Sequence, residues 1–267
     1  MIKHTNIYYH LSNNVGDAIN PYLVRKITGG FASWVSLNDE RPKYMVCGSI
    51  LNHSSLNCTV WGAGLAFSSD KIPYHQSIVA VRGNLTAKKI ETRDSERAGY
   101  CIEYQGAVGD PALLLPRFYN PIAREKKFKL GIIPHYIDMA TVCEKLTQTE
   151  LDSADFKIID VCQPIEDFID DLISCESIVS SSLHGLIISD AYSIPSAWVK
   201  FSNEIGGDDF KYHDYYSTTD LYDPTFFDLR TNLSTALLKK VVKSKVRLVN
   251  STIPLDDLID SCPFKKK

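Results

Sequence analysis

The chain has 267 residues, 44% of them hydrophobic, and a formal net charge of −3 from 29 basic and 32 acidic side chains. That length predicts one large or two modest α/β domains, and a balanced charge without a basic block argues against nucleic acid as a partner. Seven cysteines, odd in number and without a C-x-x-C pair, argue against a disulfide framework and a structural zinc site.

The opening MIKHTNIYYHLSNN lacks the apolar region of a signal peptide, and no apolar run approaches the length of a transmembrane helix. The expectation is a soluble, reduced, cytoplasmic protein in which Cys47, Cys101 and Cys162 are small buried hydrophobes. In chain order, Asn6–His10 reads as a strand, followed by a polar loop and a helix from about Ala18 to Ile27. KYMVCGS, CTVWGAG and SIVAVRG are three more strands, and NLTAKKIE reads as a short helix. Three prolines and a charged cluster then place a boundary between about Leu115 and Lys127, dividing 1–120 from 121–267.

A second alternating set begins with the strand KLGIIPH and a helix from about Ile137 to Leu146. FKIIDVC follows as a strand, and PIEDFIDDLISC as a helix with proline at its first position. Ile178 and Val179 mark a short buried strand before SSSLHGLIISDAY, and SAWVKF is the next strand. Residues Asn203–Asp228 read as irregular, and a final helix from about Leu233 to Val249 could pack on either half. The terminal Lys265–Lys267 reads as a solvated tail, with a weak contact to anionic lipid as the alternative. Strand–helix alternation in both halves predicts an α/β chain with two Rossmann-like domains facing a central cleft.

His184 is the strongest candidate, because it falls where a strand gives way to a helix. There the backbone N–H groups are unpaired and the helix dipole is positive, a seat for phosphate or carboxylate beside Ser181, Ser182 and Gly185. In SNNVGDAINPYL, Asn14 belongs to the turn, Gly16 would let the backbone approach a ligand, and Asp17 would cap the helix; a plain capped turn is the simpler account, and G-x-G-x-x-G is absent. WGAG suits either a tight turn or a ligand-facing loop. Arg82 sits at a strand's carboxyl end and is either an anion fork or a surface arginine paired with an acid. Asp110, before Pro111, reads as a structural N-cap. His135 ends a strand in the second half, and Lys211, His213 and Asp214 lie in an aromatic loop that could stack on a sugar or cover the core.

Taken in order, NVGDAINPYL, WGAGLAF, VRGNLT, GDPALLL, IIPHYID and SSSLHGLIISDAYSIPSAWV, with FKYHDYY downstream, resemble the polysaccharide pyruvyl transferase family from Asn14 to about Tyr216. The resemblance implies a GT-B-like fold and transfer of the enolpyruvyl unit of phosphoenolpyruvate to a sugar, as a ketal, with release of phosphate. It also implies a lipid-linked or nucleotide-linked saccharide acceptor, met by a cytoplasmic protein with peripheral contact at the inner membrane face. The histidine of the family's R-L-H-G or S-L-H-G motif, its general acid, maps onto His184. Where relatives have arginine two residues earlier, Ser182 stands here, so Arg82, His135 or Lys211 would supply the missing charge. Asp17 is the expected base or acceptor-positioning group. The scheme calls for no cofactor and no metal, since no histidine or carboxylate cluster has ligand spacing.

Two rival readings stand beside it. A GT-B glycosyltransferase using a nucleotide sugar would need a ribose-binding glutamate, for which Glu204 is the nearest residue. A non-catalytic saccharide-binding protein would not need His184, Arg82 and His135 together.

Overall fold

Two parallel sheets organise the chain in the computed structural model, which describes residues 4–73, 77–122, 125–222 and 224–265. The first half supplies β1 (His4–Ile7), α1 (Val15–Thr28), β2 (Phe31–Trp34), β3 (Lys43–Met45), β4 (Cys58–Trp61), β5 (Ser77–Val81), α2 (Asn84–Ala98) and β6 (Ala107–Val108). The second half supplies β7 (Leu130–Ile133), α3 (Met139–Lys145), α4 (Gln148–Ala154), β8 (Phe156–Ile158), α5 (Ile165–Ile173), β9 (Ile178–Ser180) and α6 (Leu183–Ala191). It continues with β10 (Ser196–Lys200), α7 (Phe210–Tyr216), β11 (Phe227–Asp228), α8 (Thr235–Ser244) and α9 (Leu255–Asp260). The strand orders are β2-β1-β3-β4-β5-β6 and β11-β10-β9-β7-β8, with every pair parallel. Parallel sheets are covered on both faces, and accordingly all four residues of β7 and all three of β9 are buried.

α1 shows how local sequence ties an element to the site. Pro21, inside the helix, cannot donate to the Asp17 carbonyl. The Asn20 amide takes that carbonyl instead at 3.1 Å, while its oxygen accepts the Cys47 N–H at 2.8 Å and pins the helix to the end of β3. Asn14, rather than Asp17, caps α1: its side chain accepts the Asp17 N–H at 3.2 Å, which leaves the Asp17 carboxylate free to face the cleft.

Several sequence expectations move. α2 runs for 15 residues rather than one short stretch, and Pro164 is the N-cap of α5 rather than its first residue. The segment FKYHDYY is the helix α7, not a loop, because Tyr212, Tyr215 and Tyr216 bury one side of it. β2, α4, β11 and α9 are additional elements. The expected final helix shortens to α8, whose Leu238 and Val241 join the core of the second sheet. α9 returns to the first sheet, where Trp61 Nε1 donates to the Leu258 carbonyl at 2.9 Å and Phe264 packs edge-on to Trp61. Cys47 is buried, but Cys101 is exposed and Cys162 is half-buried at the margin of the core.

Asp110 caps a 3-10 helix at Pro111–Arg117, which packs against α6 and links the two halves. One core runs through both halves, from Ile7, Trp61 and Leu114 to Ile133, Phe168 and Leu186. Ala123 and Arg124 of the expected linker, and Lys266 and Lys267 of the terminal run, lie outside the described residues. Among the described residues, no helix is long and apolar enough to cross a membrane.

Candidate active site

In each sheet the strand order reverses once, between β1 and β3 in the first and between β7 and β9 in the second. Loops leaving the carboxyl ends of strands diverge at such a point and open a crevice for ligand. Here the two crevices meet in one cavity of about 490 Å³. His10, Ser12, Asn14, Gly16 and Asp17 enter it after β1, and Gly48 and Ser49 after β3. From the second half come His135 and Tyr136 after β7, Ser182, Leu183 and His184 after β9, and Lys211 from α7.

His184 occupies the first turn of α6 and is held on two sides. A Cβ on Gly16 would lie 2.4 Å from its Nδ1, so the ring can sit there only because that residue is glycine. On the other side Nε2 lies 3.8 Å from Asp110 Oδ2, beyond hydrogen-bond distance, and both atoms are buried without a hydrogen-bond partner. Asp110 is itself fixed, since its Oδ1 accepts the Ala112 N–H at 2.9 Å and the Cys47 thiol at 3.5 Å. Burial lowers the pKa of His184, the charges of Asp110 and Asp17 push it back up, and Arg82 and Lys211 lower it again. Asp17, bonded to Ser12 and Asn14, is pushed up by burial against the lowering effect of those bonds and of His184.

Cys47, Asp110 and His184 bring a thiol, a carboxylate and an imidazole within 4.8 Å of one another, a donor set that sequence spacing conceals because three separate segments supply it. Burial and the neighbouring Asp110 charge push the Cys47 thiol well up. It therefore stays protonated and donates to Asp110, which suits a supporting hydrogen bond better than a thiolate ligand.

The structure corrects the reading of Arg82 as an anion ligand. Its guanidinium is 1% exposed and held by four contacts, with Nε and Nη2 on Asp214 at 3.0 and 2.8 Å, Nη1 on Ser49 Oγ at 2.8 Å and Nη2 on the Leu65 carbonyl at 2.7 Å. Asp214 also accepts the Thr86 N–H and hydroxyl at 2.7 and 2.8 Å, so the cluster fastens α7 to the turn between β5 and α2. Gly83 makes this approach possible, since a Cβ there would lie 1.8 Å from the Asp214 carbonyl oxygen.

His135 lines the cavity and carries no charge near neutral pH before an anion arrives. Burial, then Lys211 and His184, push its pKa down to about 4, so it is a neutral hydrogen-bonding group near pH 7. Ser181 and Gly185 belong to the supporting frame instead of the cavity wall. The Ser181 hydroxyl donates to buried Asp138 at 2.6 Å and accepts the His135 N–H at 3.0 Å. Gly185 packs where a Cβ would meet Ser180 Oγ at 2.4 Å, letting α6 lie close on the second sheet. Ser182, at the N-cap of α6, does face the cavity, as do Asn14, Gly16 and Asp17.

Lys211 is the one lysine or arginine among the described residues lining the cavity. Burial and the Arg82 charge lower its pKa to about 8, so it remains largely a cation at neutral pH. The residue that sequence reasoning undervalued is Asp110, taken for a helix cap alone; its place in GDPALLL, among the ordered motifs, was the available signal. His10, Ser12, Ser49 and Tyr136 carried no local signal at all.

A profile described as polysaccharide pyruvyl transferase matches residues 75–203. The chain is 30% identical over 223 residues to an uncharacterized protein of Acanthamoeba polyphaga mimivirus, a match covering 80% of this chain and 74% of that protein. It is 28% identical over 219 residues to the succinoglycan biosynthesis protein ExoV of Rhizobium meliloti (strain 1021), covering 77% of this chain and 61% of that one.

Proposed function

The chain belongs to the polysaccharide pyruvyl transferase family, and from that membership we propose that it transfers the enolpyruvyl unit of phosphoenolpyruvate to two hydroxyls of a saccharide, forming a pyruvate ketal and releasing phosphate. The observation that carries the reading is His184, held between Gly16 and Asp110 in a cavity that also contains Lys211 and Asp17. Phosphoenolpyruvate presents a phosphate and a carboxylate, and two sets of complementary groups face the cavity. Lys211 offers a cation, and the first turn of α6, from Leu183 onward, offers N–H groups without an intrahelical partner and the positive end of a dipole, the Ser182 N–H being taken by Ser180 Oγ at 2.9 Å. Neutral His135 adds a hydrogen bond.

In the proposed reaction Asp110 keeps a proton on Nε2 of His184, leaving Nδ1 as the atom that works beside Gly16. Arrival of the multiply charged phosphoenolpyruvate raises the histidine's pKa against the effect of burial and so charges the ring. Nδ1 then gives its proton to C3 of the enol. The π electrons form the new C–H bond and C2 becomes an oxocarbenium centre. The first sugar hydroxyl attacks C2 and its proton passes to Asp17. The bond from C2 to the phosphate oxygen breaks with its electron pair leaving on phosphate, which takes the proton from Asp17. The second hydroxyl closes the ketal and returns a proton to His184. Lys211 stabilises the departing phosphate.

The test is a thermal melt with phosphoenolpyruvate and, separately, with uridine and guanosine diphosphates, followed by assay of phosphate release. A ligand at about 100 times its Kd adds roughly 2.7 kcal/mol, a visible shift. The expected result is stabilisation by phosphoenolpyruvate, lost in Lys211→Met. Asp110→Asn should keep that stabilisation and slow phosphate release by about 10²–10⁴-fold. Stabilisation by a nucleoside diphosphate alone would overturn the reading in favour of glycosyl transfer.

A further inference from the structure

The carboxyl edge of the first sheet carries a row of aromatic rings that the reaction above does not use. β1 ends at Ile7, so Tyr8 and His10 follow it out of the sheet; Trp34 ends the neighbouring β2, and His53 closes the 3-10 turn after β3. Their side chains touch in succession: Trp34 to Tyr8 at 6.4 Å between centroids, Tyr8 to His10 at 6.3 Å and His10 to His53 at 5.9 Å. We infer that this row is a saccharide-stacking platform, over which the part of the acceptor glycan not held in the cavity lies while its reacting sugar enters.

Exposure sets the row apart from the core. Trp61 and Trp198 are 0% and 4% exposed, whereas Trp34 is 41% exposed. A large ring left half in water forgoes hydrophobic stabilisation, and an exposed apolar patch of this kind marks a contact surface. Trp34 is nevertheless fixed, because its indole N–H donates to the Tyr9 carbonyl at 3.0 Å. Such a ring presents its face to a ligand with little further loss of freedom on binding.

The chemistry selects a sugar. A pyranose has apolar C–H faces, which stack on aromatic rings, and hydroxyls around its edge, which need hydrogen-bond partners. The row supplies both, since the exposed His10 and His53 rings make no hydrogen bond among the described residues and the exposed Trp34 and His10 rings offer surface for stacking, with half-buried Tyr8 anchoring them on the core. It contains no lysine or arginine.

Position supplies the link to the cleft. His10 belongs to the row and also lines the cavity that holds His184 and Asp17, as does the 68%-exposed Leu11. A cavity of about 490 Å³ accommodates one molecule of drug-like size, so a polymer acceptor must continue outside it. The row is the continuation on the first-sheet side, through His10. This inference depends on a saccharide acceptor, as proposed above, but not on the identity of the group transferred.

Iodide quenching of tryptophan fluorescence tests it directly, because Trp34 is the exposed indole. The probes are methyl β-D-galactopyranoside, methyl β-D-glucopyranoside and a panel of neutral β-linked tetrasaccharides. The expected result is protection of Trp34 by at least one tetrasaccharide, with the methyl glycosides protecting less. In calorimetry that tetrasaccharide should bind Trp34→Ala and His10→Ala about tenfold more weakly, and Trp34→Phe, which keeps a ring, nearly as well as the unmodified chain. No protection by any probe, or equal affinity for Trp34→Ala with an unchanged melting temperature, would overturn the platform. If phosphoenolpyruvate still stabilises the chain in that case, the platform alone fails. Protection of Trp34 without phosphoenolpyruvate binding would leave the platform standing and remove the proposed donor.

Discussion

Replacing Arg82 by methionine separates a structural arginine from a ligand-binding one. The substitution keeps the apolar stem and removes three hydrogen-bonding nitrogens. It strands the Asp214 carboxylate, at 0% exposure, with the two Thr86 donors as its remaining partners, and leaves the Leu65 carbonyl without its guanidinium partner. Breaking a buried pair by removing one member costs about 3–5 kcal/mol, because the surviving charge stays buried. Against a total stability of about 5–15 kcal/mol that is a large fraction. Asp214→Asn should cost a comparable amount by stranding the guanidinium. The double variant Arg82→Met/Asp214→Asn should lose less than the sum, by about 1–3 kcal/mol, since neither charge is then left alone. Urea unfolding at neutral pH reads all three, with an expected fall in midpoint of about 1 M or more for each single variant. Phosphoenolpyruvate affinity, measured on the folded fraction of Arg82→Met, should persist. A midpoint close to that of the unmodified chain, together with abolished affinity, would refute the structural assignment and return Arg82 to the ligand.

Three further outcomes follow from the geometry. In Gly16→Ala the new Cβ, 2.4 Å from His184 Nδ1, forces the ring to retreat by about 1 Å, so phosphate release should fall about 10²-fold while the melting temperature stays near its original value; unchanged turnover would contradict the close packing. Because the Lys211 pKa is lowered to about 8, calorimetric affinity for phosphoenolpyruvate should decline as pH rises through that value, and Lys211→Met should bind weakly at every pH; a pH-independent affinity in the unmodified chain would argue against Lys211 as the anion's partner. Burial raises Asp190 from 3.8 to about 8, so the native state holds a proton that the unfolded chain releases; the resulting stability is complete below about pH 4 and lost as pH rises through about 8. Melting temperatures of Asp190→Asn should therefore fall less steeply over that window, and parallel curves for the two proteins would show that Asp190 does not carry the effect.

The strands β5, β7, β9 and β10, the helix after His184 and the Asp110–Pro111 cap were legible in the sequence. Each depends on neighbours a few residues away: apolar runs, a 3.6-residue period, or a side chain bonding its own turn. Short elements such as β2, β11 and α9 were not, because their stability comes from docking against strands or side chains distant in the chain. α7 was misread for the same reason, its tyrosines being a helix face only once a core lies beneath them.

The sequence alone also placed His184, Asp17, Asn14, Gly16, His135, Ser182 and Lys211, all of which the fold gathers at one cavity. Only the tertiary structure decided what their charges do. Arg82 meets Asp214 across 132 residues of chain and is consumed by it, Asp110 reaches His184 from the other half, and burial makes His135 neutral while leaving Lys211 a cation. Periodicity and capping are local properties, fixed by covalent neighbours. A side chain's charge state depends on desolvation and on charges a few ångströms away, and those are set when two sheets bring together residues that the sequence keeps apart.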